Sequence, residues 1–323
     1  MTRSKDIKRN QIISIVGATA TGKTALALEL ATALLERKAF DSVHLLSADS
    51  RQVYQGLENL TGADVPEDFI GVKNIQFSYQ FFRHATKKIF LHGVSIIGTA
   101  EDWSVAHFAK LLAEIKNQLG KNNLLIVVGG TGFYQKQVSE RAPTINLAPN
   151  LKLRRQLEQI SVEELQKQLA KANPSKLAQM NNSDLHNPRR LIRALELAKA
   201  EGISTSTTQQ NLHPTFYLQV DLALREQKII KRVEKRFNKA KAEVVALLPQ
   251  KIGKLASSST GLRELSQFIH GEIDQATCQK LWQQREIQYA KRQDTWWKKQ
   301  KDLIKIKGNS NLKFMLNYLQ EGS

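Results

Sequence analysis

Gln11 to Leu35 reads QIISIVGATATGKTALALELATALL. The run from Gln11 to Gly17 is dominated by Ile and Val and predicts a short buried strand. The run from Lys23 to Leu35 is dense in Ala and Leu with no breaker inside, and predicts a helix. Between them Gly17-Ala18-Thr19-Ala20-Thr21-Gly22-Lys23-Thr24 satisfies G-x-x-x-x-G-K-[ST] in the strand, loop, helix order that gives this spacing its meaning. Its glycines let backbone amides turn inward around phosphate oxygens. Lys23 adds a point charge, Thr24 can offer a hydroxyl to Mg²⁺, and the helix N-terminus adds partial positive charge. Such a loop binds phosphates but does not say which reaction follows.

Working outward, Val43 to Ala48 (VHLLSA) and Leu124 to Val128 (LLIVV) read as further buried strands, ending at Asp49 and at Gly129-Gly130. Continuous apolar strands alternating with helices predict an α/β fold with a parallel sheet covered on both faces. Trp103 to Leu119 fits a helix, and Asn74 to Phe82 an added strand or hairpin. After Pro143 the chain turns to amphipathic helices at 151–160, 162–172, 188–200 and 226–248, with Leu218 to Leu222 returning as a strand. The expected organisation is a core over 1–145, a helical insertion over 146–212, a return to the core with basic C-terminal helices over 213–307, and a tail over 308–323. Ser204 to Gln210 (STSTTQQ) reads as a loop.

At 323 residues the chain suits about two domains. A hydrophobic fraction of 41% excludes a disordered chain. The net charge of +18 is uneven: +4 over residues 1–145 and +14 over 146–323. That excess points to a polyanionic partner for the second half. Cys278 is the only cysteine, which excludes an intrachain disulfide and suits a reducing compartment. The histidines show no metal-site spacing, and no apolar run reaches the length of a membrane span. A cytoplasmic protein that does not engage membranes is expected.

An ATPase calls for a carboxylate at the end of a further strand. LLIVV is followed instead by Gly-Gly-Thr-Gly. The carboxylate that does end a strand is Asp49, within SADSRQVY, whose plain structural role would be to cap a following helix.

Five segments in order now carry a resemblance: Gly17 to Thr24; Asp49-Ser50-Arg51-Gln52-Val53-Tyr54; Gly129-Gly130-Thr131-Gly132-Phe133-Tyr134; Asn187-Pro188-Arg189-Arg190-Leu191-Ile192-Arg193-Ala194-Leu195-Glu196; and Tyr289-Ala290-Lys291-Arg292-Gln293-Asp294-Thr295-Trp296. Together they resemble the tRNA dimethylallyltransferases. The resemblance implies a P-loop NTPase-like parallel sheet flanked by helices, with a helical insertion domain. It also implies transfer of a dimethylallyl group from dimethylallyl diphosphate to the N6 amine of adenosine 37, beside the anticodon in the tRNA anticodon stem-loop, with Mg²⁺ and loss of pyrophosphate. Asp49 is then the expected general base. Thr131 and an arginine of KRVEKRFNKA assist the leaving group, and the family pattern favours Arg236 over Arg232. Residues 17–24 hold the diphosphate. Contacts to tRNA are expected from Asp49, Ser50, Arg51, Gln52, Lys152, Arg189, Arg190, Leu191, Ile192 and Arg193.

Glu286 to Lys307 carries seven basic residues against three acidic ones, interleaved with Tyr289, Trp296 and Trp297. Such a mixture suits stacking on unpaired bases, with one of the adjacent tryptophans expected in the core. The chain departs from the family over 57–102, where Thr61-Gly62-Ala63 and Gly98-Thr99-Ala100 only echo a G-T-A segment. Two other readings stay open at this point: a small-molecule P-loop kinase, and a tRNA-binding protein that has lost turnover. A monomer is expected.

Overall fold

The computed structural model describes residues 12–63, 65–73, 77–139, 147, 149–200, 213–307 and 311–321. Gln11 of the first expected strand, residues 74–76, the loop at 204–210, and residues 308–310 and 322–323 lie outside them. The chain divides into two units, one formed by residues 1–139 with 211–323 and the other by 140–210.

The first unit is built on eight strands: β1 (Ile12–Val16), β2 (Ser42–Ser47), β3 (Phe69–Val72), β4 (Phe81–His84), β5 (Ile89–His92), β6 (Asn123–Gly129), β7 (Thr215–Gln219) and β8 (Ile304–Lys307). Their order across the sheet is β3-β4-β5-β2-β6-β1-β7-β8. From β5 to β8 all pairings are parallel, as expected from the apolar runs. The edge β3-β4-β5 is instead an antiparallel meander. The strand expected over 218–222 lies three residues earlier, and Asp221 caps the next helix by accepting a hydrogen bond from the Ala223 amide at 3.1 Å.

Alternate residues of the central strands face two different layers of helix. Ile13, Ile15, Leu45 and Ile126 pack under α1 (Lys23–Glu36). Beyond the short α2 (Glu58–Thr61), Leu46, Leu125 and Val127 pack against α3 (Val105–Gln118) and α4 (Gly132–Ser139). Sheet residues pointing both ways are therefore buried, which is why these strands are continuously apolar. Gly129 ends β6 against β2, where a Cβ would stand 2.4 Å from the Ala48 carbonyl oxygen.

The second unit holds α5 (Leu151–Leu157), α6 (Val162–Ala172), α7 (Pro174–Ala178), α8 (Asn182–Leu185) and α9 (Pro188–Lys199). Its core is Leu157, Leu165, Leu169, Leu191, Ile192, Ala194 and Leu195. The chain then returns to the first unit through α10 (Leu222–Leu247), α11 (Leu262–Ile269), α12 (Gln275–Trp297) and α13 (Asn311–Glu321). The stretch expected as a tail over 308–323 thus contains a helix. Met315, Leu316 and Leu319 fall on one face of α13 and complete the core beside α1. Among the described residues no helix is long and apolar enough to cross a membrane.

Candidate active site

The C-terminal edge of the parallel strands carries a cavity of about 450 Å³. The phosphate loop enters it from one side between β1 and α1. Inside the loop the Thr21 hydroxyl donates to the Ala18 carbonyl at 2.9 Å, and the Lys23 ammonium donates to the same oxygen. Burial lowers the Lys23 pKa to about 8; Asp49 opposes this, Arg232 and Arg225 reinforce it, and Asp294 opposes it again. Thr24 is exposed and lines the cavity one residue further on.

Polarity changes along the cavity in a way fixed by strand register. Asp49 and Gly130 lie at the edge. One step inward Ser47 of β2 stands opposite Val128 of β6, and two residues further Leu45 stands opposite Leu91 of β5. Val94, Ala63 and Leu28 extend this apolar wall. The cavity is therefore cationic and hydrogen-bonding at its mouth and hydrocarbon-like at its inner end.

Asp49 does not cap a helix. Its carboxylate accepts the Arg51 amide at 2.9 Å across a tight turn. Arg51 is held by the Ser50 hydroxyl at 3.2 Å and the Ser258 hydroxyl at 2.9 Å. Tyr134 and Tyr289 lie close enough to Asp49 that burial and its negative charge both raise their pKa values. The Thr131 hydroxyl is buried facing the Tyr289 phenol, but no bond of good geometry forms to it among the described residues. Such loose contacts are common in sites without substrate.

Both arginines weighed on α10 reach Gly62 of the cavity wall, and Arg232 also pairs with Glu286 at 3.3 Å. Lys228 and Arg232, one helical turn apart, line the cavity. Arg236, the expected residue, is buried and donates to the Asn59 carbonyl at 2.9 Å. Two turns on, Glu243 accepts the Asn59 and Leu60 amides, each at 2.8 Å. Arg236 and Glu243 thus fasten α2, which delivers Gly62 and Ala63 to the cavity wall. Arg236 lies against the segment that departs from the family pattern.

Gln52, expected among the tRNA contacts, is committed within the protein: it accepts from the Ser47 hydroxyl at 2.7 Å and donates to the Gly62 carbonyl at 2.9 Å. Leu191 and Ile192 are likewise core residues of the second unit. Arg193 is tied to Glu196 at 3.1 Å and to the Leu147 carbonyl at 3.2 Å. Arg190 pairs with Asp184 on the surface. Arg189 and Lys152 are exposed.

The helix α12 supplies what the sequence reading missed. The Gln293 side chain accepts the Thr19 amide at 2.8 Å and so pins the phosphate loop from above. The Trp297 indole donates to the Gly130 carbonyl at 3.2 Å. Trp296 covers Gly132, where a Cβ would fall 2.1 Å from the ring. Asp294 pairs with the buried Arg225 at the start of α10 and accepts from the Tyr217 hydroxyl at 3.3 Å. Trp297 is buried, so one of the adjacent tryptophans is core as expected, while Tyr289 and Trp296 are half-buried. The signal available in the sequence was spacing: positions 286, 290, 293 and 297 share one helical face, and all four are buried.

Fold and cavity together define a P-loop protein whose cavity joins the phosphate loop to an apolar wall. The chain belongs to the IPP transferase family, whose sequence profile matches residues 81–300. A tRNA dimethylallyltransferase of Trichormus variabilis is 32% identical over 296 residues, covering 89% of this chain and 91% of the relative. One from Christiangramia forsetii is 28% identical over 324 residues, covering 96% and 98%. A eukaryotic dimethylallyltransferase acting on tRNA, known as a crystal structure, shares the fold with a TM-score of 0.71 at 19% identity, over 92% of this chain and 73% of that one.

Proposed function

We propose that this chain transfers a dimethylallyl group from dimethylallyl diphosphate to the N6 amine of adenosine 37 in tRNA, releasing pyrophosphate. The observation that carries this reading is the polarity gradient of the cavity, with Lys23, Lys228 and Arg232 at the mouth, Asp49 beside them and Leu45, Leu91 and Val94 further in. A prenyl diphosphate has the same gradient along its length. Family membership and the named activity of the relatives support tRNA as the acceptor.

In the reaction the N6 nitrogen attacks the allylic carbon. A C–N bond forms, the carbon–oxygen bond breaks, and its electron pair leaves on the diphosphate. An adenine amine is a weak nucleophile whose proton becomes acidic only as the new bond forms, so the Asp49 carboxylate can take it late in the step. Lys23, Lys228 and Arg232 meet the charge developing on the diphosphate. The Thr131 hydroxyl is a ready donor there, and the raised pKa of Tyr289 keeps its phenol protonated beside Asp49.

The site fits Mg²⁺ that arrives with the diphosphate. Thr24 exposes a hard oxygen donor to the cavity, and no group of three His, Cys, Asp or Glu among the described residues would hold a metal alone. The remaining positions would go to diphosphate oxygens and water. Bound there, the ion would neutralise charge on the leaving group.

Contacts to the anticodon stem-loop fall to Ser50 and Arg51 beside the cavity and to Lys152, Arg189 and Arg190 on the second unit. A kinase reading leaves the apolar wall without a task and lacks the second strand-end carboxylate.

The test is mass spectrometry of adenosines from an unmodified anticodon stem-loop after incubation with protein, Mg²⁺ and dimethylallyl diphosphate. One prenyl group per stem-loop is expected. Asp49→Ala should abolish the adduct and leave RNA affinity within a few-fold. ATP turnover on a small acceptor without any adduct would overturn the reading, and a near-normal rate in Asp49→Ala would remove Asp49 as the base.

A further inference from the structure

The inner end of the cavity is closed by two side chains. Along α1 its wall runs from Thr24 to Leu28, one helical turn further in, and the sheet below contributes Leu91 of β5. A second cavity of about 470 Å³ begins on the far side of the same residues. It takes Leu28 again, then Thr32 one more turn along α1 and Ile89 two residues back on β5, and its rim carries Glu29, Glu36, Asp68, His84 and Lys87. Leu28 and Pro66 are the two residues common to both cavities. The two cavities therefore adjoin at Leu28 and Pro66, and the second is a groove open to solvent.

We infer that Leu28 and Pro66 form a partition that sets the length of the isoprenoid chain accepted by this site, admitting a five-carbon group and turning away ten-carbon allylic diphosphates. The inference rests on the prenyl-transfer reading above. With its diphosphate at the phosphate loop, a dimethylallyl group lies over Leu45 and Leu91 and ends at the partition. One more isoprene unit adds about the 5.4 Å of a helical turn. That carries the chain from the level of Leu28 to the level of Thr32 and Ile89, through the partition and into the second cavity. Leu28 is half-buried, so truncating it opens a wall between two existing spaces and leaves no sealed void in the core.

The experiment presents the full chain and an unmodified anticodon stem-loop with dimethylallyl and geranyl diphosphate in competition, and reads the two adduct masses. The wild-type protein should give the five-carbon adduct. Leu28→Ala should raise the ratio of ten-carbon to five-carbon transfer at least about tenfold, since loss of a few carbons from an apolar wall changes discrimination on that scale. Pro66→Ala should move the ratio in the same direction, and Leu28→Phe should leave it at the wild-type value. Thermal unfolding identifies which variants are folded, and Pro66→Ala carries the test if Leu28→Ala is not. Five-carbon transfer by the wild type with an unmoved ratio in the folded variants would overturn the partition alone. Absence of any adduct from the wild type would overturn the prenyl-transfer reading and the partition with it.

Discussion

Lys23 gives the sharpest test of the site because its burial has a measurable consequence. Desolvation among neighbouring cations lowers its pKa from 10.5 to about 8, and only the protonated form attracts a diphosphate. At pH 9 a group with that pKa keeps about a tenth of its protons, whereas an ordinary lysine keeps nearly all. The value of kcat/KM for dimethylallyl diphosphate reports the free enzyme. It should therefore fall as pH rises through about 8, and by about tenfold per unit above it. The bound diphosphate restores the proton, so the corresponding fall in kcat should lie at higher pH. Alkaline unfolding is separated by sign. Between pH 8 and 10.5 the unfolded chain binds more protons at this lysine than the folded one, so its contribution to folding stability rises with pH while substrate capture falls. Lys23→Arg, with a side chain that stays charged, should lose the pH limb even if its rate is lower. A kcat/KM that stays flat to about pH 9.5 would refute the argument.

Two further outcomes follow from charge pairs and charged surface. Asp294→Ala leaves Arg225, 2% exposed, without its carboxylate and should cost roughly 3–5 kcal/mol of stability by urea denaturation; a loss below about 1 kcal/mol would show the pair to be dispensable. Lys152→Ala combined with Arg189→Ala should reduce the log-log salt slope of tRNA binding by about one per phosphate contact removed, and an unchanged slope would assign both side chains to solvent.

The parts of this protein legible in its sequence are those whose causes are local. The strand, loop and helix over 12–36 are adjacent in sequence, and LLIVV declares itself as a strand by its own continuous apolar run. What could not be read depends on distant segments. Lys228, Arg232 and Arg236 fall at helical spacing on one face of a basic helix, so periodicity cannot rank them; what sets Arg236 apart is α2, which takes it through the Asn59 carbonyl. Thr61-Gly62-Ala63 gives only an echo of a motif because it is placed by Glu243, about 180 residues away in sequence. The C-terminal helix has a single apolar stripe that acquires meaning once the face of α1 is there to receive it.

The same reasoning changes how the excess positive charge should be understood. An RNA grip and a catalytic pocket could have been separate surfaces, and a basic stretch with aromatics at its core looks like the former. The helix α12 has two unlike faces: Gln293 and Trp297 turn inward to the phosphate loop and to Gly130, while Lys291 and Arg292 are exposed, as are Lys298 and Lys299 just past its end. The inner face of that helix is hydrogen-bonded directly to Thr19 of the phosphate loop. Gln293 is the link between the two faces, since its carbonyl occupies the Thr19 amide, a donor that a phosphate oxygen would otherwise claim. Any shift of α12 on binding RNA must either keep that amide engaged or release it to the substrate.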